Sequence, residues 1–400
     1  MHAHQLPRAI DRALAGESIL ILPQTREGSI AEVSPSLWTG AGRAPALVLF
    51  TSGSTGAAKG VALSAEALTT SARATERLLA GPGEWHLTLP VNHIAGFQVE
   101  LRARLAGREP IRTASPAFTA GGFADEVDAL FARSGRRPRY TSLVPTQLHR
   151  ILAHERAAHA AAGFDAILLG GSAVSPALLE GAVAHGLQVV RTYGMSETAG
   201  GCVYDGVPFD GVEITISESS TIDLRGPVVA DSYVEIAETG HIMPIDSPNL
   251  TLDHDGSATM HTSDLGRLDD GVLTVLGRSD DIIVSGGTNV SPHALETGLL
   301  PTWQRHGIAE VLVTWVPDEE WGRLLVALVR IDGRASSTLA KDLASPRQLA
   351  GTLNALVTGM HGQLLPRLVF PVTEIPSRSI GKPDRSAAAA LAAELMAAAT

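Results

Sequence analysis

The chain of 400 residues contains one cysteine, Cys202, and only 4% aromatic residues. A single cysteine excludes an internal disulfide framework and a cluster of thiolate metal ligands. Positive charge is also scarce, because 31 Lys and Arg face 42 Asp and Glu, which leaves a net charge of −11. Such a surface is unsuited to nucleic acid or to anionic membranes. We therefore expect a cytoplasmic protein with a packed Cys202, in which local features meet any phosphate.

Long apolar runs are also absent. No stretch reaches the ~18 apolar residues of a membrane span. The charged segment 1–14 is typical of an amphipathic helix and not of a signal peptide. The alanine-rich segment 386–400 is interrupted by Glu394, which favours a surface helix.

Lysine is the rarest basic residue, since 28 of the 31 are Arg and only Lys59, Lys341 and Lys382 are Lys. Where arginine serves as the surface cation, a retained lysine is a candidate for a site that needs a compact ammonium. Lys59 and Lys382 both lie beside glycine. With three residues, chance is an alternative explanation.

The length favours two domains. In the first half, apolar runs alternate with helical patterns, which predicts a parallel sheet covered by helices. The predicted strands are 18–22, 46–50, 87–89, 166–169 and 188–190. The predicted helices are 64–80, 124–134, 146–157 and 175–185. Short alternating runs over 211–276 indicate a small antiparallel region, and from residue 282 helix and strand signals mix again.

The first motif follows a buried strand and reads Thr51-Ser-Gly-Ser-Thr-Gly-Ala-Ala-Lys-Gly60. Glycines allow successive N–H groups to turn inward, and hydroxyls add donors, so the segment predicts a polyphosphate cradle. It is not a Walker A loop, because Gly60 follows Lys59 where that motif has Ser or Thr. A flexible Gly/Ser loop is the alternative.

Three further segments carry polar groups suited to a nucleotide. In 189–198 a strand ends in a turn where Tyr193 can stack on a base and Glu197 can meet Mg²⁺, although an ordinary loop is an equal alternative. Segments 261–267 and 277–292 supply Asp and Arg for ribose hydroxyls. Segment 375–385 places Lys382 on an exposed loop.

Together and in this order, these segments resemble the adenylate-forming superfamily of acyl- and aryl-CoA ligases, peptide-synthetase adenylation domains and luciferases. The resemblance covers residues 46–385. It implies an α/β fold with an ATP- and acyl-binding domain of residues 1–279, which includes the small antiparallel region, and a small mobile α+β domain of residues 280–400. It also implies ATP, Mg²⁺ and coenzyme A as a co-substrate.

The resemblance implies a role for individual residues. The implied ATP/AMP contacts are Thr51, Ser52, Gly53, Ser54, Thr55, Gly56, Lys59, Gly170, Gly171, Ser172, Tyr193, Gly194, Met195, Ser196, Asp264 and Arg278. The implied acyl contacts are His93, Ser142, Gly171, Ser196 and Thr198. The implied catalytic residues are Lys382, His93 and Glu197, with Glu197 also the Mg²⁺ ligand. The implied hinge is Asp280, and Ser285, Gly286 and Gly287 lie on the coenzyme A side. For His93, an ordinary histidine at a helix start is the alternative.

Segments 89–99 and 142–148 are similar to the o-succinylbenzoate–CoA ligases of menaquinone biosynthesis. Small residues in the implied pocket leave room for a flat, branched acid. Its second carboxylate would need a buried partner, for which His93, Ser142 and Arg102 or Arg104 are candidates. The phosphate loop begins earlier in the chain than in most members, and a homodimer is one way to cover a sheet face left exposed.

Other classes remain as alternatives. Another aryl- or acyl-CoA ligase would share these motifs. A stand-alone adenylation enzyme would load a carrier protein, but no carrier segment follows Arg385 in this sequence. The broken Walker spacing disfavours a kinase or other NTPase. An inactive nucleotide-binding protein is disfavoured because Glu197, Asp264, Arg278 and Lys382 are all present.

Overall fold

The computed structural model describes residues 5–23, 29–51, 59–113, 117–253, 256–331, 337–359, 364–377 and 383–399. The chain forms two compact units. The first comprises residues 1–171, 181–262 and 268–274, and the second comprises residues 172–180, 263–267 and 275–400. The domain boundary expected between residues 279 and 280 stays a prediction. Within the described ranges, no helix has the length and apolar character needed to cross a membrane.

The strands of the described residues are numbered in chain order. They are β1 (Ile19–Leu22), β2 (Ala31–Val33), β3 (Leu47–Thr51), β4 (Lys59–Leu63), β5 (Glu84–Leu87), β6 (Ile111–Arg112), β7 (Arg139–Leu143), β8 (Ala166–Leu169), β9 (Val189–Met195), β10 (Gly200–Tyr204), β11 (Val207–Pro208), β12 (Glu213–Ile216), β13 (Thr221–Arg225), β14 (Ser232–Ile236), β15 (Ile242–Ile245), β16 (Leu250–Leu252), β17 (Ala258–Asp269), β18 (Val272–Arg278), β19 (Ile283–Ser285), β20 (Thr288–Val290), β21 (Ile308–Asp318), β22 (Gly322–Ile331) and β23 (Leu368–Val372).

The helices are numbered in the same way. They are α1 (Leu6–Ala15), α2 (Ala65–Leu78), α3 (Ile94–Leu105), α4 (Ala120–Ser134), α5 (Pro145–Leu152), α6 (Glu155–Ala161), α7 (Pro176–Ala184), α8 (Pro292–Gln304), α9 (Ser337–Asp342), α10 (Pro346–Ala355) and α11 (Arg385–Ala399).

One mixed sheet of six strands has the order β15-β14-β4-β3-β1-β2. Strands β1 and β3 are parallel, whereas β3 and β4 form an antiparallel pair in which Thr51 lies opposite Lys59. Helices α1 and α2 bury apolar side chains against this sheet, among them Leu6, Ile10 and Leu68. The pairing of β3 with β4 brings together the two ends of the glycine-rich segment.

A second sheet has the order β11-β10-β9-β8-β7-β5-β6. The five strands from β9 to β6 in this order are parallel, and β10 and β11 add antiparallel strands at one side. Strand β8 is buried along its whole length, as expected for a parallel strand covered on both faces. The carboxyl ends of β5, β7, β8 and β9 therefore lie along one edge of this sheet.

The expected α/β fold is confirmed, but the predicted strands fall into two sheets and not one. Several observed strands of the first half were not predicted, namely β2, β4, β6, β7 and β10. Strand β7 is rich in polar residues, and these are buried because they find partners: the Thr141 hydroxyl, for example, donates to the carbonyl of His86 over 3.1 Å. The predicted helix 146–157 is two helices, since His154 leaves the helical conformation and caps α6 at the N–H of Ala157.

The antiparallel region expected over 211–276 is present as the sheet β12-β13-β17-β16, with β18 paired to β17. The second unit contains the hairpin β19–β20 and a three-stranded sheet β21-β22-β23. Its core includes Trp303, Leu325 and Leu353, which are buried between this sheet and helices α8 and α10. The region from residue 282 onward is thus α+β, as the sequence predicts.

Candidate active site

The carboxyl edge of the seven-stranded sheet collects most of the predicted residues of the first unit. His93 is the N-cap of α3, which follows β5, and Ser142 lies near the end of β7. Gly170 and Gly171 follow β8, and segment 193–198 ends β9. Ligands of parallel α/β sheets bind at this edge, so the strand order brings these residues to a place suited to a ligand.

Glycines allow the backbones at this edge to approach each other closely. A Cβ at residue 170 would lie 2.3 Å from the Thr192 hydroxyl oxygen. A Cβ at residue 194 would lie 2.2 Å from the carbonyl oxygen of Gly200, and Gly194 has a φ of +155°. Both positions therefore require glycine, and they set the spacing of β8, β9 and β10.

The turn Ser196–Thr198 is locked by the Thr198 side chain. Its hydroxyl accepts from the N–H of Met195 over 2.9 Å and donates to the carbonyl of Gly200 over 2.7 Å. Thr198 is fully buried, with an exposed fraction of 0%. In this conformation Thr198 shapes the turn that carries Ser196 and Glu197, and its expected contact with the acyl substrate stays a prediction.

Glu197 is held from two sides by the segment that leads into β14. The Tyr233 hydroxyl donates to Glu197 Oε1 over 2.9 Å, and the N–H of Ala230 donates to the carbonyl of Glu197 over 2.7 Å. Burial and the neighbouring carboxylate raise the pKa of Tyr233, so its hydroxyl stays protonated and remains a donor. The position of this carboxylate is thus fixed by residues more than 30 positions further along the chain.

The glycine-rich segment ends beside the same turn. Strand β4, which begins at Lys59, contacts the turn Ser196–Thr198. The Lys59 ammonium lies 6.0 Å from the centroid of the Tyr233 ring, within reach of a cation–π interaction. Residues 52–58, which include the predicted phosphate contacts Ser52, Gly53, Ser54, Thr55 and Gly56, lie outside the described residues.

The donor set around Glu197 suits Mg²⁺ better than a transition metal. Among the described residues, no group of three or more His, Cys, Asp or Glu side chains is placed to hold a metal. Mg²⁺ is commonly held by one or two carboxylates together with substrate phosphates and water. Glu197 offers a carboxylate, and its partner Tyr233 also lies near Lys59 at the end of the glycine-rich segment, which fits a cation bound with a nucleotide.

In the second unit, Arg278 joins the predicted ribose and hinge residues. Its guanidinium donates to both carboxylate oxygens of Asp280, over 2.8 and 2.6 Å, and to Asp264 over 3.1 Å. A further bond of 2.6 Å reaches the Ser263 hydroxyl. The hydrogen bonds to Asp280 are the largest cause that raises the pKa of Arg278, and the negative charge of Asp264 adds to it. Burial alone would raise the pKa of Asp280, but Arg278 outweighs it, and that pKa lies below its ordinary value.

The predicted coenzyme A segment forms the tight turn of the hairpin β19–β20. Ser285 lies opposite Thr288, and Gly286 and Gly287 between them have φ of +54° and +79°. Two successive positive φ values are typical of a two-residue hairpin turn, which explains both glycines. A Cβ at residue 286 would also lie 2.6 Å from the Trp321 ring.

Lys382 lies outside the described residues. On either side of its segment, Ser377 and Pro383 form an antiparallel bridge. Arg385, at the start of α11, is bound to Asp281 over 2.9 Å and to Glu296 over 2.7 Å. Ser172, a predicted nucleotide contact, belongs to the second unit, whereas Gly171 belongs to the first.

The two arginines considered for a second substrate carboxylate make other contacts in this structure. Arg104 forms a surface ion pair with Asp11. Arg102 is buried with its guanidinium over the Trp85 ring, at 5.4 Å from the ring centroid. Helix α3 runs away from the carboxyl edge after His93, and nine residues of helix span ~13 Å. Both arginines therefore lie towards its other end.

Two residues near this edge were not predicted from the sequence. Tyr233 gave no local signal apart from being one of few aromatic residues. Gln98, buried on α3, donates to the carbonyls of Leu68 and Ala199 over 3.3 and 2.8 Å. It ties α3 to the residue that follows the Ser196–Thr198 turn. A buried glutamine in an apolar helix face is the signal that could have found it.

The sequence is similar to those of known proteins. The family described as AMP-binding enzyme matches residues 18–248, more than half of the chain. A protein of Mycobacterium tuberculosis named probable 2-succinylbenzoate–CoA ligase is 39% identical over 346 residues, covering 86% of this chain and 83% of that protein. The 2-succinylbenzoate–CoA ligase of Listeria monocytogenes is 28% identical over 357 residues, covering 85% of this chain and 69% of that protein.

Solved structures share the fold. ATP-bound MatB from Rhodopseudomonas palustris has a TM-score of 0.70 at 23% identity, covering 89% of this chain and 69% of that one. The o-succinylbenzoate coenzyme A synthetase (MenE) from Bacillus subtilis, solved with ATP and a magnesium ion, has a TM-score of 0.65 at 25% identity. The match covers 86% of this chain and 69% of the MenE chain. From its sequence match, its motifs and its fold, the chain belongs to the AMP-binding enzyme family.

Proposed function

We propose that the protein is an AMP-forming ligase that adenylates o-succinylbenzoate and transfers the acyl group to coenzyme A. The observation that carries this proposal is the 39% identity over 346 residues to a probable 2-succinylbenzoate–CoA ligase. The placement of His93, Ser142 and Glu197 at one edge of the sheet supports it. Mg²⁺ as cofactor, a cytoplasmic location and a role in menaquinone biosynthesis belong to the same proposal.

In the first half-reaction, a carboxylate oxygen of the acid attacks the α-phosphorus of ATP, and the bond to pyrophosphate breaks. Two anions must meet, so catalysis consists mainly of positioning and charge neutralisation. We assign the cradle of the phosphates to residues 51–59, including Lys59, and charge neutralisation during adenylation to Lys382. When bound at Glu197, Mg²⁺ would supply further positive charge to the phosphates.

In the second half-reaction, the coenzyme A sulfur attacks the acyl carbonyl carbon of the acyl-AMP, and AMP leaves. We propose that residues 280–400 move about Asp280 between the two steps, which would withdraw Lys382 and present the turn Ser285–Gly286–Gly287. Arg278 would hold the ribose together with Asp264, and its bonds to Asp280 link that site to the hinge.

The acid pocket that we propose is built from small groups at the carboxyl edge. Gly171, with a φ of +87°, lies against Val144, and Gly200 lies against Ile94 and Gln98. Because Arg102 and Arg104 have other contacts, we propose that the second carboxylate of o-succinylbenzoate is met by His93, by Ser142 or by ordered water. An unpaired buried carboxylate would cost several kcal/mol, so one of them is required.

The test is ATP–pyrophosphate exchange with a panel of acids, followed by detection of the thioester. We expect o-succinylbenzoate to exceed benzoate and long-chain fatty acids by at least ~10²-fold in kcat/KM. Release of orthophosphate in place of pyrophosphate would contradict the ligase chemistry. If another acid is turned over best, the protein is an acyl-CoA ligase with a different substrate. If the acyl group is transferred to a carrier protein and not to coenzyme A, the protein is a stand-alone adenylation enzyme. A homodimer, which the sequence analysis offers as a way to cover an exposed sheet face, would be tested by light scattering at several concentrations.

A further inference from the structure

Tyr233 joins two parts of the proposed nucleotide site that are far apart in the sequence. Its hydroxyl is 2.9 Å from Glu197 Oε1, and its ring centroid is 6.0 Å from the Lys59 ammonium. All three residues belong to the first unit. One side chain therefore contacts both the residue that we assign to the metal and the last residue of the proposed phosphate loop.

The tyrosine is itself held firmly in place. It is only 7% exposed, and its strand β14 pairs with β4 so that Tyr233 lies opposite Val61, two residues from Lys59. The N–H of Ala230, three residues before Tyr233, donates to the carbonyl of Glu197 over 2.7 Å. The same short segment thus fixes Glu197 at its backbone and at one carboxylate oxygen.

The hydrogen bond from the Tyr233 hydroxyl to Oε1 restricts rotation of the Glu197 carboxylate, so that Oε2 points in one direction. A side chain that is already ordered loses less conformational entropy when it binds a ligand. We propose that Tyr233 is a positioning residue that orients the Glu197 carboxylate toward a nucleotide polyphosphate bound with a divalent cation. This inference rests on the proposed function, since that function assigns Glu197 to the metal.

A purely structural role for Tyr233 makes a different prediction. Its ring belongs to the apolar core of the first unit, and its hydroxyl is 4.0 Å from the sulfur of Met260. Tyr233→Phe keeps the ring, and with it the core packing and the contact with Lys59, and removes the donor to Glu197. Tyr204→Phe is the matched control, because Tyr204 is 5% exposed and its hydroxyl is bonded to Thr75 over 3.0 Å.

The experiment is isothermal titration calorimetry with ATP, in Mg²⁺ and in EDTA, without any acid substrate. We expect Tyr233→Phe to weaken ATP binding about tenfold in Mg²⁺ and less than twofold in EDTA, as for a lost hydrogen bond to a charged group. Tyr204→Phe should bind ATP as the wild type does in both conditions. In a Glu197→Gln background, Tyr233→Phe should have no further effect, because the two residues act as a unit.

Kinetics give a second readout. The KM for ATP·Mg²⁺ of Tyr233→Phe should rise about tenfold at low Mg²⁺ and approach the wild-type value at high Mg²⁺, with kcat changed less than threefold. Equal weakening with and without Mg²⁺, or an equal effect in Tyr204→Phe, would overturn the proposal. The proposal would also be overturned if the wild type bound ATP with the same affinity in Mg²⁺ and in EDTA. Failure of o-succinylbenzoate as substrate would reject the proposed acid and leave the role of Tyr233 standing.

Discussion

A methyl group at residue 194 tests how closely the site depends on the spacing of two strands. Strands β9 and β10 are antiparallel, with Gly194 opposite Gly201. In Gly194→Ala, the new Cβ would lie 2.2 Å from the carbonyl oxygen of Gly200 and 2.8 Å from the Cα of Gly201. These are backbone atoms, so no rotamer change relieves the contact. The φ of +155° adds strain for any L side chain.

The size of the effect follows from the distance. An ordinary contact needs about 3.4 Å, so β10 must move by about 1 Å. Overpacking of this kind costs about 1–3 kcal/mol of folding free energy. The turn Ser196–Thr198 connects the two strands and carries Glu197 with it. Because a misplacement of about 1 Å costs ~10²-fold in rate, we expect ATP–pyrophosphate exchange to fall by about that factor.

Two alanine variants separate the causes. Gly240→Ala changes a glycine with a φ of +84° that has no atom within 4 Å of the new Cβ, and so controls for backbone strain alone. Gly121→Ala, in α4, has equally open space and an ordinary φ. Thermal melting and exchange are measured for all three. The reasoning would be refuted if Gly194→Ala had the melting temperature and the exchange rate of the wild type. It would also be refuted if Gly194→Ala lost no more stability and activity than Gly240→Ala.

Three further outcomes are expected. Lys382→Ala should lose acyl-AMP formation by ~10²–10³-fold or more and keep thioester formation from supplied acyl-AMP, and equal loss of both steps would contradict the assignment. Arg278→Lys should raise the KM for ATP about five- to tenfold, because one ammonium cannot replace the three hydrogen bonds to Asp264 and Asp280. An unchanged KM for ATP would contradict a role of Arg278 in holding the ribose. Burial raises the pKa of the Cys202 thiol to about 12, so iodoacetamide at pH 8 should alkylate it only after unfolding in urea, and rapid labelling of the native protein would contradict this burial.

Elements with strong local signals were predictable. The strand predicted over 166–169 is the observed β8, because four consecutive apolar residues suit a strand buried on both faces. Helix α8 likewise begins with a local signal, since Pro292 is its first residue and the Ser291 hydroxyl accepts from the N–H of Ala294 over 3.3 Å. A cap depends on residues within one helical turn, and an apolar run is a local pattern, so the sequence contains the signal for both elements.

Strand β5 shows where local signals end. The apolar pattern places it at 87–89, whereas it runs over Glu84–Leu87. Glu84 is 1% exposed and would not be expected in a buried strand. Its carboxylate is compensated by Arg133 over 2.7 Å, by Arg137 over 2.8 Å and by Arg108 over 3.5 Å. Partners so far along the chain cannot be read from a window of neighbouring residues.

The sequence by itself determined the motifs of the site and their order, because each is a run of residues whose chemistry is local. Which of these motifs meet depends on strand order, and only the tertiary structure decided it. The Tyr233–Glu197 hydrogen bond spans 36 residues and exists because β14 pairs with β4, the strand that contacts the turn of Glu197. In the same way, Arg102 follows His93 on one helix, yet the direction of that helix places the two far apart. Residue periodicity specifies the face of an element, whereas the neighbours of that face are set by packing across the whole domain.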